Sequence, residues 1–237
     1  MSLIPSPSPS MARTYRYPRP AIAVDIVVLT IRHELLQVLL IRRGLEPFKG
    51  KWALPGGFVK VEGGRGGRGE SLNAAARREL REETGLDVDE VWLEQIHAFG
   101  APSRDPRGRV ISIAYLAVVS PERFGQVAAA TDADATRWVP ADDPPSLAFD
   151  HAQILRFALD HLRGRLAQDP RTAFHLVPRE LTIGDLRRVY EIIEQTTYDK
   201  ANFRRRFLRL VDEGKIERVA GQQSTGGRPA AVYRLVE

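Results

Sequence analysis

The chain has 237 residues, of which 43% are hydrophobic and 27% charged, with a formal net charge of +5 and no cysteine. This length accommodates one large domain or two modest ones, and the lack of cysteine excludes disulfides, thiolate zinc sites and cysteine nucleophiles. No run approaches the roughly 20 apolar residues of a membrane-spanning helix. We therefore expect a soluble protein, and the missing cysteines and signal sequence favour a cytoplasmic location.

The first 19 residues alternate serine with proline and then add scattered positive charge. They lack the apolar block that a secretory signal requires, and a Ser-Pro composition does not form a packed core. We expect a flexible tail over residues 1–19.

Residues 20–166 are predicted to form the first domain, a mixed sheet with a helix packed on it. Two apolar runs flank a short turn and indicate a β-hairpin, while aliphatic and β-branched density marks two further strands. The predicted strands cover residues 21–31, 35–43, 110–119 and 135–139, and one strong helix runs from Ser71 to Thr84.

A second helix is predicted to start at Asp150, a residue type that caps helices, and to stop before Pro170. Its apolar residues fall on one side, as a helix that closes a domain requires. The pattern changes after this helix, so we place a linker at residues 167–180 and a second domain at 181–237.

Residues 181–237 contain two amphipathic helices and then two short strands around a glycine-rich loop. Thr182 and Asp199 are suitable N-caps for these helices, and the short turn between them indicates a helix-turn-helix. Residues 171–237 hold 13 Lys and Arg against 9 Asp and Glu, which gives +4 of the total +5. The fold class expected for the chain is α+β, with a basic C-terminal domain.

The helix that starts after Ser71 crowds three carboxylates onto one side. Glu79, Glu82 and Glu83 are spaced i, i+3 and i+4, and like charges at this spacing repel. A hard divalent cation such as Mg²⁺ compensates such repulsion, and Arg78 can pair with a neighbouring glutamate. The alternative is a solvated charged face with no ligand.

From Gly64 to Leu86 the sequence reads G-x5-E-x7-R-E-L-x-E-E-x-G-L. This resembles the 23-residue signature of the Nudix hydrolase superfamily, whose loop, helix and loop bind Mg²⁺ and the diphosphate of a nucleoside diphosphate derivative. The resemblance implies a Nudix α/β/α sandwich over residues 20–166. It also implies metal ligands at Glu79, Glu82 and Glu83, an accessory ligand at Glu70 and an orienting partner at Arg78, five residues that together form the candidate catalytic set.

The spacing before the helix departs from the family pattern. The glycine of the family's Leu-Pro-Gly-Gly turn corresponds to Gly57, which lies thirteen residues before Glu70 rather than six, with a Gly-Arg segment between them. Such a loop is either a phosphate-attracting flap or tolerated surface sequence. The insertion argues against efficient hydrolysis and leaves ligand binding intact. The candidate ligand contacts are Arg42, Arg43, Gly56 and Gly57.

Residues 93–119 and 147–154 resemble the Nudix subgroup that acts on ADP-ribose and related NAD-derived compounds. Relatives often carry the catalytic base outside the signature, and the sequence assigns none here. His151 is either a ligand contact or an ordinary surface or packing histidine. The acidic candidates for the base are Glu122, Asp132 and Asp134.

The second helix of the C-terminal domain presents a basic face. Arg205, Arg206 and Arg209 lie with Asn202 at i, i+3, i+4 and i+7, away from the apolar stripe. Arginines pair with guanine and phosphate, and an asparagine amide reads adenine. The alternative is a solvated basic face, but the following hairpin completes a winged-helix layout. The candidate DNA contacts are Lys200, Asn202, Arg204, Arg205, Arg206, Arg209 and Arg228.

The two domains together resemble the Nudix-related (NrtR-like) transcriptional regulators of NAD metabolism. The resemblance implies a homodimeric repressor that binds a double-stranded DNA operator and senses ADP-ribose or a related NAD metabolite. The alternative function is a Mg²⁺-dependent ADP-ribose pyrophosphatase whose C-terminal domain serves dimerisation or protein contacts. A purely structural role explains neither the carboxylates nor the arginine face.

Overall fold

The computed structural model describes residues 19–62, 69–85, 91–120, 136–223 and 229–236. Apart from Arg19, the predicted tail lies outside the described residues. No helix within these ranges is both long and apolar enough to cross a membrane.

The first domain contains a seven-stranded sheet in the order β3-β2-β1-β6-β5, in which β4 also pairs with β1 and β7 with β2. β1 and β6 are parallel, and the other pairs are antiparallel. The predicted hairpin and mixed sheet are therefore confirmed. The strands are β1 Ala21–Arg32, β2 Leu35–Arg42, β3 Trp52–Ala53, β4 Gly56–Phe58, β5 Trp92–Phe99, β6 Val110–Val118 and β7 Thr136–Pro140.

A helix covers each face of this sheet. Helix α1, Leu72–Thr84, buries Ala76 and Leu80 against one face, and helix α2, His151–Gln168, buries Leu155 and Leu162 against the other. Successive residues of β1 alternate between these two cores because strand side chains point to opposite faces. The resulting architecture is the α/β/α sandwich that the resemblance to the Nudix superfamily implies.

Both helices begin and end near the predicted residues. Ser71 Oγ accepts a hydrogen bond from Ala74 N at 3.2 Å, and Gly85 ends α1 with a φ of 68°, a conformation that favours glycine. Asp150 is the N-cap residue of α2, but its side chain makes no capping bond. Its carboxylate instead receives two hydrogen bonds from Arg104.

The second domain has the order and sheet of a winged helix. A capping box joins Thr182 to Asp185 at its first helix, and Asp199 accepts a hydrogen bond from Asn202 N at 2.8 Å at its second. Its sheet has the order β8-β10-β9. The elements are β8 Glu180–Leu181, α3 Ile183–Glu194, α4 Lys200–Asp212, β9 Ile216–Gln223 and β10 Ala230–Leu235.

The segment between the domains is packed. A 3-10 helix, Pro170–Leu176, follows α2 directly, and its Ala173 and Leu176 are 0% and 1% exposed. These residues belong to one apolar cluster that also holds Leu162 of α2 and Val189 of α3. The two domains therefore share a continuous core along α2 and the 3-10 helix.

Candidate functional site

Arg78 gathers the carboxylates of the α1 region around its guanidinium. Its Nε and Nη2 donate to Glu70 at 3.0 and 2.6 Å, and its Nη1 donates to Glu79 at 2.6 Å and to Glu82 at 3.1 Å. This bidentate pairing lowers the pKa of Glu70 to about 2. Arg78 therefore orients the cluster, and both oxygens of Glu70 are engaged by it.

Glu83 faces the start of β4. Its Oε2 accepts a hydrogen bond from Gly56 N at 2.7 Å. Burial raises its pKa to about 7, and the nearby charges of Glu79 and Asp25 act in the same direction. A Cβ on Gly57 would lie 2.6 Å from Cδ of Glu79, so only glycine allows β4 to approach the helix this closely.

The predicted metal ligands share one region but do not form a ready metal site. Across the described ranges, no three Asp, Glu or His side chains are arranged to hold a metal ion. Arg78 engages Glu79 and Glu82, whereas Glu83 turns towards Gly56. The assignment of Glu70, Glu79, Glu82 and Glu83 as ligands stays a prediction.

A small cleft of about 90 Å³ opens beside Gly56 and Gly57. Arg43, Arg107 and Phe149 line it, and the guanidinium carbons of the two arginines lie 4.6 and 5.5 Å from the centre of the Phe149 ring. Burial and the neighbouring charge of Arg107 lower the pKa of Arg43. The cleft thus combines two cations, an aromatic surface and a glycine turn.

The two adjacent arginines predicted as ligand contacts lie in different places. Arg43 lines the cleft, and its Nε donates to Pro47 O at 2.8 Å. Arg42, at the end of β2, is exposed outside it, with its Nε 3.4 Å from Gly50 O. A larger cavity of about 590 Å³ lies between the 3-10 helix and the second sheet, and it contains none of the predicted site residues.

A buried ion-pair network lies beneath the cleft. Arg104, whose side chain is 3% exposed, contacts Asp25 at 3.0 Å and Asp150 at 2.7 Å. Ser112 Oγ donates a further hydrogen bond to Asp25. Because buried charges need close partners, this network ties together β1, the loop after β5 and the start of α2.

Four further residues line the cleft although no motif in the sequence marks them: Asp25, Arg104, Arg107 and Phe149. Asp25 carried a signal, since it is the lone charge within the predicted strand 21–31, and such a residue needs a buried partner. Arg104 and Arg107 belong to a loop, residues 100–109, that holds three arginines and one aspartate. No pattern in the sequence joins this loop to β1, because their contact depends on the sheet order.

His151 is a buried member of the same region, 4% exposed. Its Nδ1 accepts a hydrogen bond from Leu54 N at 2.9 Å, which places the ring proton on Nε2, 3.4 Å from Oδ1 of Asp25. Burial lowers its pKa. The packing interpretation of His151 therefore has direct geometric support, although the ring also lines the cleft.

Helix α4 exposes most of its predicted DNA contacts. Arg206 differs, because its guanidinium lies 4.5 Å from the centre of the Tyr190 ring, against α3. Within the described part of the chain, the arginines that remain exposed form no ion pair with a carboxylate. The exposed side chains are those of Lys200, Asn202, Arg204, Arg205 and Arg209.

Several predicted residues lie outside the described part of the chain. They comprise the wing residue Arg228, the base candidates Glu122, Asp132 and Asp134, Gly64 of the signature, and most of the Gly-Arg insertion.

Two family models match the chain. The NUDIX domain matches residues 19–158, and the NrtR DNA-binding winged helix domain matches residues 173–235. A relative from Acinetobacter baylyi, the ADPR responsive transcriptional repressor NtrR, is 34% identical over 92% of this chain and 83% of its own length.

Solved structures of Shewanella oneidensis NrtR are similar as well. Its complex with a 27mer DNA is 30% identical, with a TM-score of 0.74 over 91% of this chain and 93% of that chain. Its NUDIX domain complexed with ADP ribose is 32% identical, with a TM-score of 0.51 over 62% of this chain and 90% of that chain. This chain therefore belongs to the Nudix family, and within it to the NrtR regulators that carry a C-terminal winged helix.

Proposed function

We propose that this protein is a transcriptional repressor of NAD metabolism genes whose Nudix domain senses ADP-ribose or a related NAD-derived nucleotide. The observation that carries the proposal is the presence, on one chain, of a Nudix cleft and a winged helix whose second helix exposes arginines that form no ion pair with a carboxylate within the described residues. Similarity to an ADPR responsive repressor over most of both chains supports it.

The DNA-binding role rests on α4. Arg205 and Arg209 are exposed one turn apart, which suits a helix that enters the major groove. Arg206 instead packs on Tyr190, so we assign it the task of holding α4 against α3. We assign base and phosphate contacts to Lys200, Asn202, Arg204, Arg205 and Arg209, and a backbone contact to Arg228 in the wing.

The nucleotide role rests on the cleft beside β4. A diphosphate is polyanionic, and Arg43 and Arg107 bring two guanidiniums to the turn at Gly56. The ring of Phe149 offers a planar surface for a base or sugar once these arginines turn towards the phosphates. Arg42 lies outside the cleft and is the weakest of the predicted contacts.

The carboxylates suit Mg²⁺ by chemistry. Glu79 and Glu83 place two carboxylates close together on α1, and burial, with a smaller effect from the charge of Glu79, raises the pKa of Glu83. Oxygen-rich sites of this kind are those that Mg²⁺ prefers. We propose that these two residues hold the ion with Glu82, while Glu70 keeps Arg78 in place. The bound ion would neutralise part of the diphosphate charge.

Mg²⁺ affinity is expected to fall about tenfold between pH 8 and pH 6. The pKa of Glu83 is raised to about 7, so below that pH the cation must displace a proton that is absent above it. Calorimetric titration of Mg²⁺ at the two pH values measures the difference. Glu83→Gln, which carries no titrating carboxyl, should bind weakly at both, and an unchanged wild-type affinity would remove Glu83 from the site.

ADP-ribose hydrolysis is the second candidate function. The arrangement of Arg78 with Glu70, Glu79 and Glu82 favours it, since an ordered carboxylate cluster is what metal-assisted hydrolysis requires. The Gly-Arg insertion beside the site argues for sensing. In the sensing mode the intact nucleotide is the signal, and slow turnover preserves it.

The proposal includes a homodimer and a cytoplasmic location. Symmetric operators are read by two-fold symmetric winged-helix proteins, and a repressor acts where the chromosome is. We place the sensor domain at residues 20–166, the connecting segment at 167–180 and the DNA-binding domain at 181–237.

Capture of sheared genomic DNA tests the proposal directly. The wild-type protein is expected to retain a few fragments at near-physiological salt and to release them when ADP-ribose and Mg²⁺ are added, with the nucleotide recovered intact. Chromatography of the nucleotide distinguishes the alternatives, because rapid appearance of AMP without selective capture would make hydrolysis the primary activity.

A further inference from the structure

Helix α2 reaches both the nucleotide cleft and the DNA-binding domain. Its N-terminal residues Asp150 and His151 contact Arg104 and Leu54 at the cleft. Thirteen residues later, about 20 Å along the helix, Arg163 meets the winged helix. A single helix therefore touches both functional regions.

Arg163 contacts the end of α3 and the first domain together. Its Nε donates to the carbonyl oxygen of Ile193 at 3.0 Å, and its Nη2 lies 3.5 Å from Oδ1 of Asp142. Ile193 is in the last turn of α3, where carbonyls lack partners within the helix and favour a cation. The arginine thus fixes the C-terminus of α3 relative to α2.

The neighbouring contact between the domains is sparse. A groove of about 390 Å³ separates the turn after β1 from α3, and the ion pair between Glu34 and Arg188 crosses it. Both side chains are partly exposed, at 70% and 47%. Because packing does not fill this side of the interface, the polar contacts of Arg163 and Arg188 add to the apolar contacts by which Val189 and Ile193 hold α3 in the shared core.

We propose that Arg163 is a positioning residue that couples occupancy of the nucleotide cleft to operator affinity through α2. The inference rests on the proposed function. A nucleotide that displaces Arg43 and Arg107 alters the groups packed around Arg104 and the start of α2. Since a helix moves as a rigid element, the shift reaches Ile193 through Arg163 and reorients the DNA-reading helix behind it.

The test compares Arg163→Ala with wild type on DNA fragments selected by the wild-type protein. We measure the fragment Kd with and without ADP-ribose, and the ADP-ribose Kd with and without fragment, since the two ratios must agree. Typical couplings change affinity about 5 to 150-fold. The coupling ratio is the Kd of one ligand in the presence of the other divided by its Kd in the absence of the other. Arg163→Ala is expected to bring this coupling ratio at least fivefold closer to one, while each ligand alone still binds.

Two further variants separate coupling from general damage. Arg163→Lys keeps a cation that can reach the Ile193 carbonyl and is expected to recover most of the ratio. Arg156→Ala, on the same helix, removes an exposed arginine that makes no ion pair within the described residues and should leave the ratio unchanged.

The outcomes distinguish this inference from the proposed function. If wild type responds to ADP-ribose and Arg163→Ala responds equally, α2 coupling through Arg163 is wrong and the repressor function stands. If wild type binds no fragment or ignores ADP-ribose, the proposed function itself fails. Should Arg163→Ala not fold, Arg163→Met, which keeps an aliphatic side chain but cannot donate to the Ile193 carbonyl, must bring the ratio closer to one instead, and an unchanged ratio there overturns the inference.

Discussion

Replacing Arg205 and Arg209 together with alanine is expected to weaken operator binding by about 30-fold or more. Each side chain lies exposed on α4, and an arginine contact to a base or phosphate contributes about 1 to 3 kcal/mol. The slope of log Kd against log salt should also fall by about 2, since about two fewer counterions are displaced. Fluorescence anisotropy over a salt series measures both effects.

Arg206→Ala serves as the matched control on the same helix. Its guanidinium lies on the Tyr190 ring, so its loss should lower the melting temperature of the protein and leave the salt slope close to wild type. An unchanged slope in the double variant, or an equal loss of slope in Arg206→Ala, would contradict the assignment of the DNA-reading face.

Replacing Arg104 with alanine is expected to lower the free energy of unfolding by about 3 to 5 kcal/mol. The change leaves two carboxylates, Asp25 and Asp150, without their cation, and breaking a buried pair from one side costs about this much. Urea unfolding followed by tryptophan fluorescence measures the loss. Nucleotide binding should also weaken in this variant, because Asp25 and Arg104 of the ion-pair network line the cleft.

The control for this variant is Arg171→Ala. Arg171 also pairs with an aspartate, Asp169, but its side chain is 63% exposed, and exposed pairs contribute little. Its unfolding curve should nearly overlay that of wild type. If the unfolding curve of Arg104→Ala also overlaid that of wild type, water rather than the guanidinium would supply the hydrogen bonds that the carboxylates of Asp25 and Asp150 need.

Local sequence determined much of this protein. Ser71 and Gly85 bound α1 because a hydroxyl cap and a left-handed glycine act within one helical turn. The spacing of Glu79, Glu82 and Glu83 placed three carboxylates in one region for the same reason, and the order of helices and strands after residue 181 predicted the winged helix. These features depend on neighbours at most a few residues apart.

Tertiary structure alone decided the rest. Asp25, Arg104 and Asp150 meet only because β1 lies beside β6 and the loop after β5 folds over the start of α2, and these residues are 46 to 125 positions apart in sequence. The helical pattern placed Arg206 on the basic face, but the position of the Tyr190 ring turned it inward. The change of pattern after α2 predicts a linker at residues 167–180, yet the shared core buries Leu176 within it. Partners distant in the chain are set by sheet order and helix packing, which no local spacing encodes.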